Sequence, residues 1–160
     1  MHDILIRQPL RLELIWRENE VWRIYLEWSG DVAQWESVRE SPFARDAEEL
    51  FLAYLRGERP DPRHLPLAWQ RVQGFGNKVL TTLYNRVGHG EWISYSRLAE
   101  LSGSPGSARA VGRVMSGNPW PLLIPCHRVL RKDRSLGGFS SGLEMKRYLL
   151  RLEGIDPPRA

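Results

Sequence analysis

Two stretches near the start of the chain alternate between hydrophobic and polar residues. Within residues 10–16 a leucine or tryptophan occupies every second position, and a hydrophobic residue does the same within residues 22–28. A period of two is the spacing of a half-buried β-strand. The polar residues Glu18, Asn19 and Glu20 between the two stretches predict a hairpin turn. The chain is therefore expected to begin with an antiparallel pair of strands.

Helical spacing replaces this alternation farther along the chain. Asp46 and Glu49 have the spacing of a capping box, and the apolar stripe that follows predicts a helix ending at Gly57. Asn77 is expected to cap a second helix, which Gly88 stops. Both helices would pack an apolar face against the rest of the protein.

Two short helices are predicted next. Ser94 is expected to cap a helix over residues 95–101, and a turn rich in glycine, serine and proline at residues 102–106 leads to a helix over residues 107–115. Two short helices joined by a tight turn that contains glycine are typical of a helix-turn-helix motif. The sequence thus contains a candidate nucleic-acid-binding element.

A proline-rich segment separates these two groups of elements. Residues 59–66 contain three prolines and predict an extended linker, which places a domain boundary near residue 70. We therefore expect an α+β protein: a small sheet-and-helix domain over residues 1–70, with the linker at residues 59–70, and a mainly helical domain over residues 71–160.

The charges are divided unevenly between the two predicted domains. Residues 1–70 hold nine arginines, no lysine and thirteen acidic residues, whereas residues 71–160 hold fourteen basic and six acidic residues. A basic domain attracts polyanions such as nucleic acids. A solvated basic surface without a partner would give the same composition, so charge alone leaves both interpretations open.

The predicted helix over residues 107–115 has an unusual surface. The side chains of Ala108 and Ala110 are small and Gly112 has none, so we call this segment the low helix. Arg109 and Arg113 project from it. Another backbone could approach such a helix closely. Tight helix–helix packing would use the same small residues, but the surrounding basic domain favours a nucleic acid as the partner.

The only cysteine of the chain, Cys126, follows an apolar run that ends at Pro125. One cysteine excludes a disulfide framework and a multi-cysteine zinc module. The adjacent His127 and Arg128 are expected to lower the pKa of the thiol and make it a nucleophile. Adjacent residues on a helix point about 100° apart, so a bridging water would be needed between Cys126 and His127. A buried, inert cysteine is the alternative.

The motif Pro-Cys-His-Arg-Val at residues 125–129, with Gly-Asn-Pro at 117–119 and Gly-Gly-Phe-Ser at 137–140, resembles the O6-alkylguanine-DNA alkyltransferase family. The resemblance covers about residues 75–155 in order and spacing, whereas residues 1–70 match only in layout. It implies a ribonuclease H-like first domain and a winged-helix-like second domain that binds DNA. It also implies repair by irreversible, stoichiometric transfer of an alkyl group from guanine O6 to Cys126.

The resemblance assigns chemical roles to four further residues. His127 would act through water as the base that generates the thiolate, and Glu153 would accept a hydrogen bond from His127. Tyr95 would protonate the departing guanine, and Ser140 would contact O6. Three of these residues have a plainer alternative. Glu153 could be an exposed acid without a role, Tyr95 a packing residue and Ser140 a residue that only forms a turn.

The resemblance also implies how DNA is held. The target nucleotide would be flipped out of the duplex, with Arg109 taking its place in the stack and the low helix lying in the minor groove. Asn118 would tie the helix-turn-helix to the segment of Cys126. The remaining predicted substrate and DNA contacts are Ala110, Gly112, Arg113, Arg128, Phe139 and Ser140.

Two departures from the family pattern bear on the pocket. Phe139 stands where many relatives have tyrosine, and the residues around Phe75 differ from the usual ones. The histidines outside the motif lack ligand spacing, so we expect no metal and no cofactor. We further expect a cytoplasmic monomer with no membrane span that acts on double-stranded DNA carrying O6-alkylguanine.

Three other functions compete with this one. A non-catalytic module of the same fold could recognise alkylated bases and recruit other repair factors, although relatives of that kind lack the cysteine. A cysteine hydrolase built from Cys126, His127 and Glu153 would leave the basic helix-turn-helix unexplained. A helix-turn-helix regulator would leave the Cys-His-Arg segment without a role.

Overall fold

Three strands form an antiparallel sheet at the start of the chain. They are β1 (His2–Arg7), β2 (Leu10–Arg17) and β3 (Glu20–Trp28), in this spatial order. Both predicted strands are present, and Glu18 and Asn19 turn between them with positive φ angles of 49° and 63°. The alternation pattern does not predict β1, because its buried residues Leu5 and Ile6 are adjacent.

Helix α1 (Ala44–Leu55) packs against β1 and buries Phe51 and Tyr54. The predicted capping box is wrong: Phe43 is the N-cap residue, and no side chain caps the helix. The ring of Phe43 stacks on Trp16, with 5.3 Å between ring centroids. Phe43 thus contacts the sheet directly before the helix begins, and the helix begins two residues before Asp46.

The computed structural model describes residues 1–30 and 37–157. The chain divides into two compact units, Met1–Arg71 and Val72–Ala160. Two single turns of 3₁₀ helix, Pro62–His64 and Trp69–Arg71, lie in the last part of the first unit. The observed architecture is thus a mixed α and β protein with one small antiparallel sheet followed by a mainly helical unit.

The second unit contains four α-helices and two short strands among its described residues. The elements are α2 (Gly74–Arg86), β4 (Ile93–Ser94), α3 (Tyr95–Leu101), α4 (Ala108–Ser116), β5 (Val129–Leu130) and α5 (Leu143–Leu152). Strands β4 and β5 pair in parallel. This pairing brings the start of α3 beside the segment that follows the cysteine.

The predicted cap of α2 is wrong, whereas that of α3 is confirmed. Helix α2 begins at Gly74 after Gln73, and Asn77 lies inside the first turn with its Nδ2 donating to the Val72 carbonyl. Ser94 caps α3, since its Oγ accepts from the Arg97 amide at 3.1 Å. Among the helices of the described ranges, none combines the length and apolar character that crossing a bilayer requires.

Candidate active site

Cys126 begins a single turn of 3₁₀ helix, Cys126–Arg128, immediately after Pro125. The Asn118 side chain holds the loop that leads to this turn: Nδ2 donates to the Ile124 carbonyl at 2.9 Å, and Oδ1 accepts from the Trp120 amide at 3.0 Å. Asn118 follows the end of α4. Its side chain therefore links this helix to the loop that carries the cysteine.

A cavity of about 630 Å³ opens onto Cys126. Cys126 is only 3% exposed and is one of the residues that line this cavity. The predicted site residues that line the wall are Tyr95, Arg109, Gly112, Cys126, Phe139 and Ser140. Residues from α3, α4 and the loop before α5 therefore converge on one nucleophile.

The other predicted DNA contacts on α4 lie outside this wall. Gly112 and Arg109 face the cavity, whereas Ala110 and Arg113 lie elsewhere on the helix. Arg113 is exposed and Ala110 is half-buried. Helix α4 thus divides its residues between the cavity and the outer surface.

The thiol is not activated by its sequence neighbours as expected. Burial raises the pKa of Cys126 above its ordinary value, while a hydrogen bond from Asn118 and the positive charge of Lys146 act in the opposite direction. The side chains of His127 and Arg128, which were expected to lower this pKa, are engaged with Glu153, although the backbone of His127 contributes a hydrogen bond that lowers it. The resting sulfur is therefore a thiol at neutral pH.

His127 and Glu153 form a buried hydrogen bond, with 2.6 Å between Nε2 and Oε1. Burial lowers the pKa of His127 despite the nearby carboxylate. Burial opposes ionisation of Glu153 as well, but His127 and Arg128 hold its pKa well below the usual range. The pair is thus a neutral imidazole and a carboxylate. Since a carboxylate only accepts hydrogen bonds, Nε2 carries the proton and Nδ1 is the basic nitrogen.

Arg128 points into the protein and not toward a DNA partner. Its Nε donates to Glu153 Oε2 at 2.8 Å, its Nη2 to Oε1 at 3.0 Å, and its Nη1 to the Val87 carbonyl at 2.9 Å. The residue is 9% exposed. Its assignment as a DNA contact is therefore corrected: Arg128 neutralises the buried carboxylate that positions His127.

The amino-acid sequence did not reveal the role of Lys146. This residue on α5 is fully buried, and its Nζ donates to the carbonyls of Val129 at 2.7 Å and Gly138 at 3.1 Å. Burial lowers its pKa to about 8. The available signal was its spacing of three and four residues from Leu149 and Leu150, which places a lysine on the apolar face of a helix.

The Tyr95 hydroxyl lies against Gly137, in space that a side chain at position 137 would fill. A Cβ on Gly137 would lie 2.6 Å from the Tyr95 hydroxyl oxygen, and Gly137 has a φ of +69°. Only glycine meets both conditions without strain. Burial raises the pKa of Tyr95, so the phenol keeps its proton at neutral pH. A protonated donor and a thiol thus line the same cavity.

Within the described ranges, no three histidine, cysteine, aspartate or glutamate side chains are grouped to hold a metal ion. The polar groups that line the cavity include a thiol, a phenol, serine hydroxyls and the cationic side chains of Arg109, Arg131 and Lys132. A buried ammonium and a neutral imidazole lie nearby. These groups suit nucleophilic displacement with proton transfer to a leaving group.

Comparison with known proteins shows which family and which solved structures this chain is similar to. Residues 74–155 match the family model described as 6-O-methylguanine DNA methyltransferase, DNA binding domain. Over its full length the chain is similar to the crystal structure of Mycobacterium tuberculosis OGT in complex with DNA, with a TM-score of 0.77 and 27% identity. The similarity covers 96% of this chain and 92% of that one.

Curated relatives agree with the family model. The human methylated-DNA–protein-cysteine methyltransferase is 48% identical over 57% of this chain, and the chain spans only 43% of the human protein. The constitutive enzyme of that name from Bacillus subtilis is 34% identical over 96% of this chain and 89% of its own length. The chain therefore belongs to the methylated-DNA–protein-cysteine methyltransferase family.

Proposed function

We propose that this protein repairs DNA by transferring an alkyl group from O6 of guanine to the sulfur of Cys126. The observation that carries the proposal is the placement of the only cysteine, buried, in the lining of a cavity of about 630 Å³. A phenol, a serine and an arginine line the same cavity. The family membership supplies the substrate class, because the relatives are named for methylated DNA and a protein cysteine.

The transfer balances with groups of the chain and the substrate alone. The Cys126 thiolate attacks the alkyl carbon, so an S–C bond forms as the C–O6 bond breaks and its electron pair goes to guanine. The Tyr95 hydroxyl donates a proton to the guanine, which leaves as a neutral base, and the proton taken from the Cys126 thiol then returns to the Tyr95 phenolate through water. The product thioether is stable, so each molecule reacts once and needs no cofactor.

His127 would generate the thiolate. Its basic Nδ1 takes the thiol proton through a water molecule, and the Glu153 carboxylate stabilises the imidazolium that forms. Arg128 keeps Glu153 ionised so that this stabilisation persists. Because burial opposes a charged His127, the proton transfer is unfavourable at rest and is expected when the substrate fills the cavity.

DNA would bind across the second unit as a duplex whose target nucleotide is flipped into the cavity. Helix α4 supports this proposal, since Gly112 and Arg109 line the cavity and Arg113 is exposed on the same helix. Arg109 would fill the gap left in the base stack, and Ser140 would contact O6. Ala110 and Arg113 would contact the minor groove.

We also propose the finer fold assignments that the resemblance implies. The three antiparallel strands followed by α1 support a ribonuclease H-like first unit. The helices α3 and α4 joined by a tight turn, together with the pair β4 and β5, support a winged-helix-like second unit with a helix-turn-helix. The protein would act as a monomer on double-stranded DNA.

Intact-protein mass spectrometry after incubation with a duplex that contains O6-methylguanine tests the proposal. The wild type is expected to gain the mass of one methyl group in place of one hydrogen, at one equivalent and no more. The Cys126→Ser variant is the matched control and should gain nothing. An unmodified wild type that still binds the lesion tightly would instead identify a non-catalytic binding module.

A further inference from the structure

Two arginines of the first unit lie over the ring of one tryptophan, and a third arginine follows that tryptophan in the chain. The Cζ atoms of Arg17 and Arg71 lie 4.2 Å and 4.5 Å from the centroid of the Trp22 ring. Arg71 also donates a hydrogen bond to the Trp22 carbonyl. Arg23 lies next to Trp22 in β3, with its Cζ 5.7 Å from the ring of Tyr25. We call Arg17, Trp22, Arg23 and Arg71 the arginine–tryptophan cluster.

The arginines of the cluster differ from most other arginines of this acidic unit. Six arginines there form ion pairs with carboxylates, namely Arg7, Arg11, Arg39, Arg45, Arg56 and Arg63. Among the described residues, by contrast, no carboxylate lies within ion-pair distance of Arg17, Arg23 or Arg71. The nearby Glu20 accepts from Gln70 at 2.6 Å. The cluster therefore concentrates positive charge that the described part of the unit does not neutralise locally.

The three guanidinium groups also repel one another. Burial, followed by the positive charges of Arg23 and Arg17, lowers the pKa of Arg71. An anionic ligand would relieve this repulsion. Guanidinium groups suit phosphate in particular, since their planar donors match its oxygens. Stacking on Trp22 holds two of these groups in place, which lowers the entropy lost on binding.

We propose that the arginine–tryptophan cluster binds the phosphate backbone of DNA, as a second contact surface separate from the cavity. The choice of DNA over another polyanion rests on the proposed function, in which the protein already engages a duplex. Phosphate contacts carry no base information, so this surface would add affinity without sequence preference. It also gives the acidic first unit a task in DNA binding.

A double variant in the full chain tests the proposal. Arg17→Gln with Arg23→Gln removes two charges and leaves Arg71 bonded to the Trp22 carbonyl. Arg45→Gln with Arg63→Gln is the matched control, because it removes the same charge from exposed, carboxylate-paired positions of the same unit. Fluorescence anisotropy with an undamaged duplex, between about 50 and 200 mM salt, gives the affinity and its salt dependence. Unchanged melting temperatures show that both variants fold.

The cluster variant is expected to bind about tenfold more weakly at the lower salt concentration, with a salt slope reduced by about 1 to 2, because each neutralised phosphate contributes about 0.9. Wild-type behaviour of the cluster variant, or an equal loss in the control, overturns the proposal. This assay needs no alkyl transfer. A failure of the methyl-transfer experiment together with weaker binding of the cluster variant would therefore reject the proposed function and leave the surface standing.

Discussion

The two sides of Cys126 are built in different ways. Behind the cysteine, His127, Arg128 and Glu153 form a closed polar network in which Glu153 also accepts from the Gly90 amide at 3.2 Å. On the cavity side, side chains such as that of Tyr95 surround an open space. A closed buried network is costly to break. The comparison indicates that the buried network stabilises the fold and holds His127 in place as the proposed base, whereas the cavity side presents the groups that would contact the substrate.

Breaking the network should produce the largest effect on stability. Glu153→Gln leaves the Arg128 guanidinium buried without its carboxylate, and we expect a loss of about 3–5 kcal/mol in the free energy of unfolding. Urea denaturation measures this loss. Glu100→Gln is the control, since Glu100 forms an exposed ion pair with Arg97 and should cost less than about 1 kcal/mol. Equal losses in the two variants would contradict the comparison.

Acid should weaken the same network. The pKa values of His127 and Glu153 are both lowered in the folded protein, so the unfolded chain binds more protons than the folded one as pH falls. Stability should therefore decline below about pH 6.5, the unfolded value for histidine, and further below about 4.3, that for glutamate.

Melting temperatures of the wild type and of Glu153→Gln between neutral pH and about pH 3 check this dependence. The difference in melting temperature between the wild type and the variant should become smaller in acid. Protonation removes the Glu153 charge from the wild type, and the variant lacks this charge at every pH. A constant difference would show that the Glu153 charge contributes nothing.

A change on the cavity side should instead affect the chemistry. Gly137→Ala places a Cβ against the Tyr95 hydroxyl, and we expect methyl transfer to slow by about 10²-fold as the proton donor is displaced. Gly138→Ala is the matched control, because no atom lies within 4 Å of the added Cβ there. Single-turnover transfer to Cys126, followed by mass spectrometry, gives the rates. Equal rates for the two variants would remove Tyr95 from the mechanism.

A smaller effect is expected from the buried ammonium. Lys146→Met removes a positive charge that favours the Cys126 thiolate, so the pKa of this thiol should rise and its reaction with iodoacetamide near pH 8 should become slower. Lys146→Arg should restore part of the rate. Lys132→Met, an exposed lysine of the same cavity, should leave the thiol pKa unchanged. If Lys146→Met leaves the reaction of Cys126 with iodoacetamide unchanged, the ammonium group has only a packing role.

Local sequence signals predicted much of the fold. The strands over residues 10–17 and 20–28 follow from alternation, and α3 follows from Ser94 at its start, since these signals depend on neighbouring residues alone. The expected caps at Asp46 and Asn77 failed. At both positions the helix begins earlier along the chain than the local capping signal indicates, which shows the limit of such signals.

The candidate site was predicted only as far as its motif extends. Cys126, His127 and Tyr95 were found because each lies in a recognisable segment. Arg128 belongs to the same motif, yet its direction depends on Glu153, which lies 25 residues away. Lys146 was missed for a similar reason, because the carbonyls that accept its hydrogen bonds belong to Val129 and Gly138, which lie outside its helix.

The sequence by itself determined the candidate nucleophile, the basic character of the second unit and the order of those strands and helices that carry a local signal, because composition and spacing are properties of the chain before it folds. Only the tertiary structure decided which charges are neutralised and which are not. Arg128 is paired in the interior, whereas Arg17 and Arg71 lie over Trp22 with no described carboxylate within ion-pair distance. Charge interactions depend on distance and burial, and both are set only when distant segments pack together.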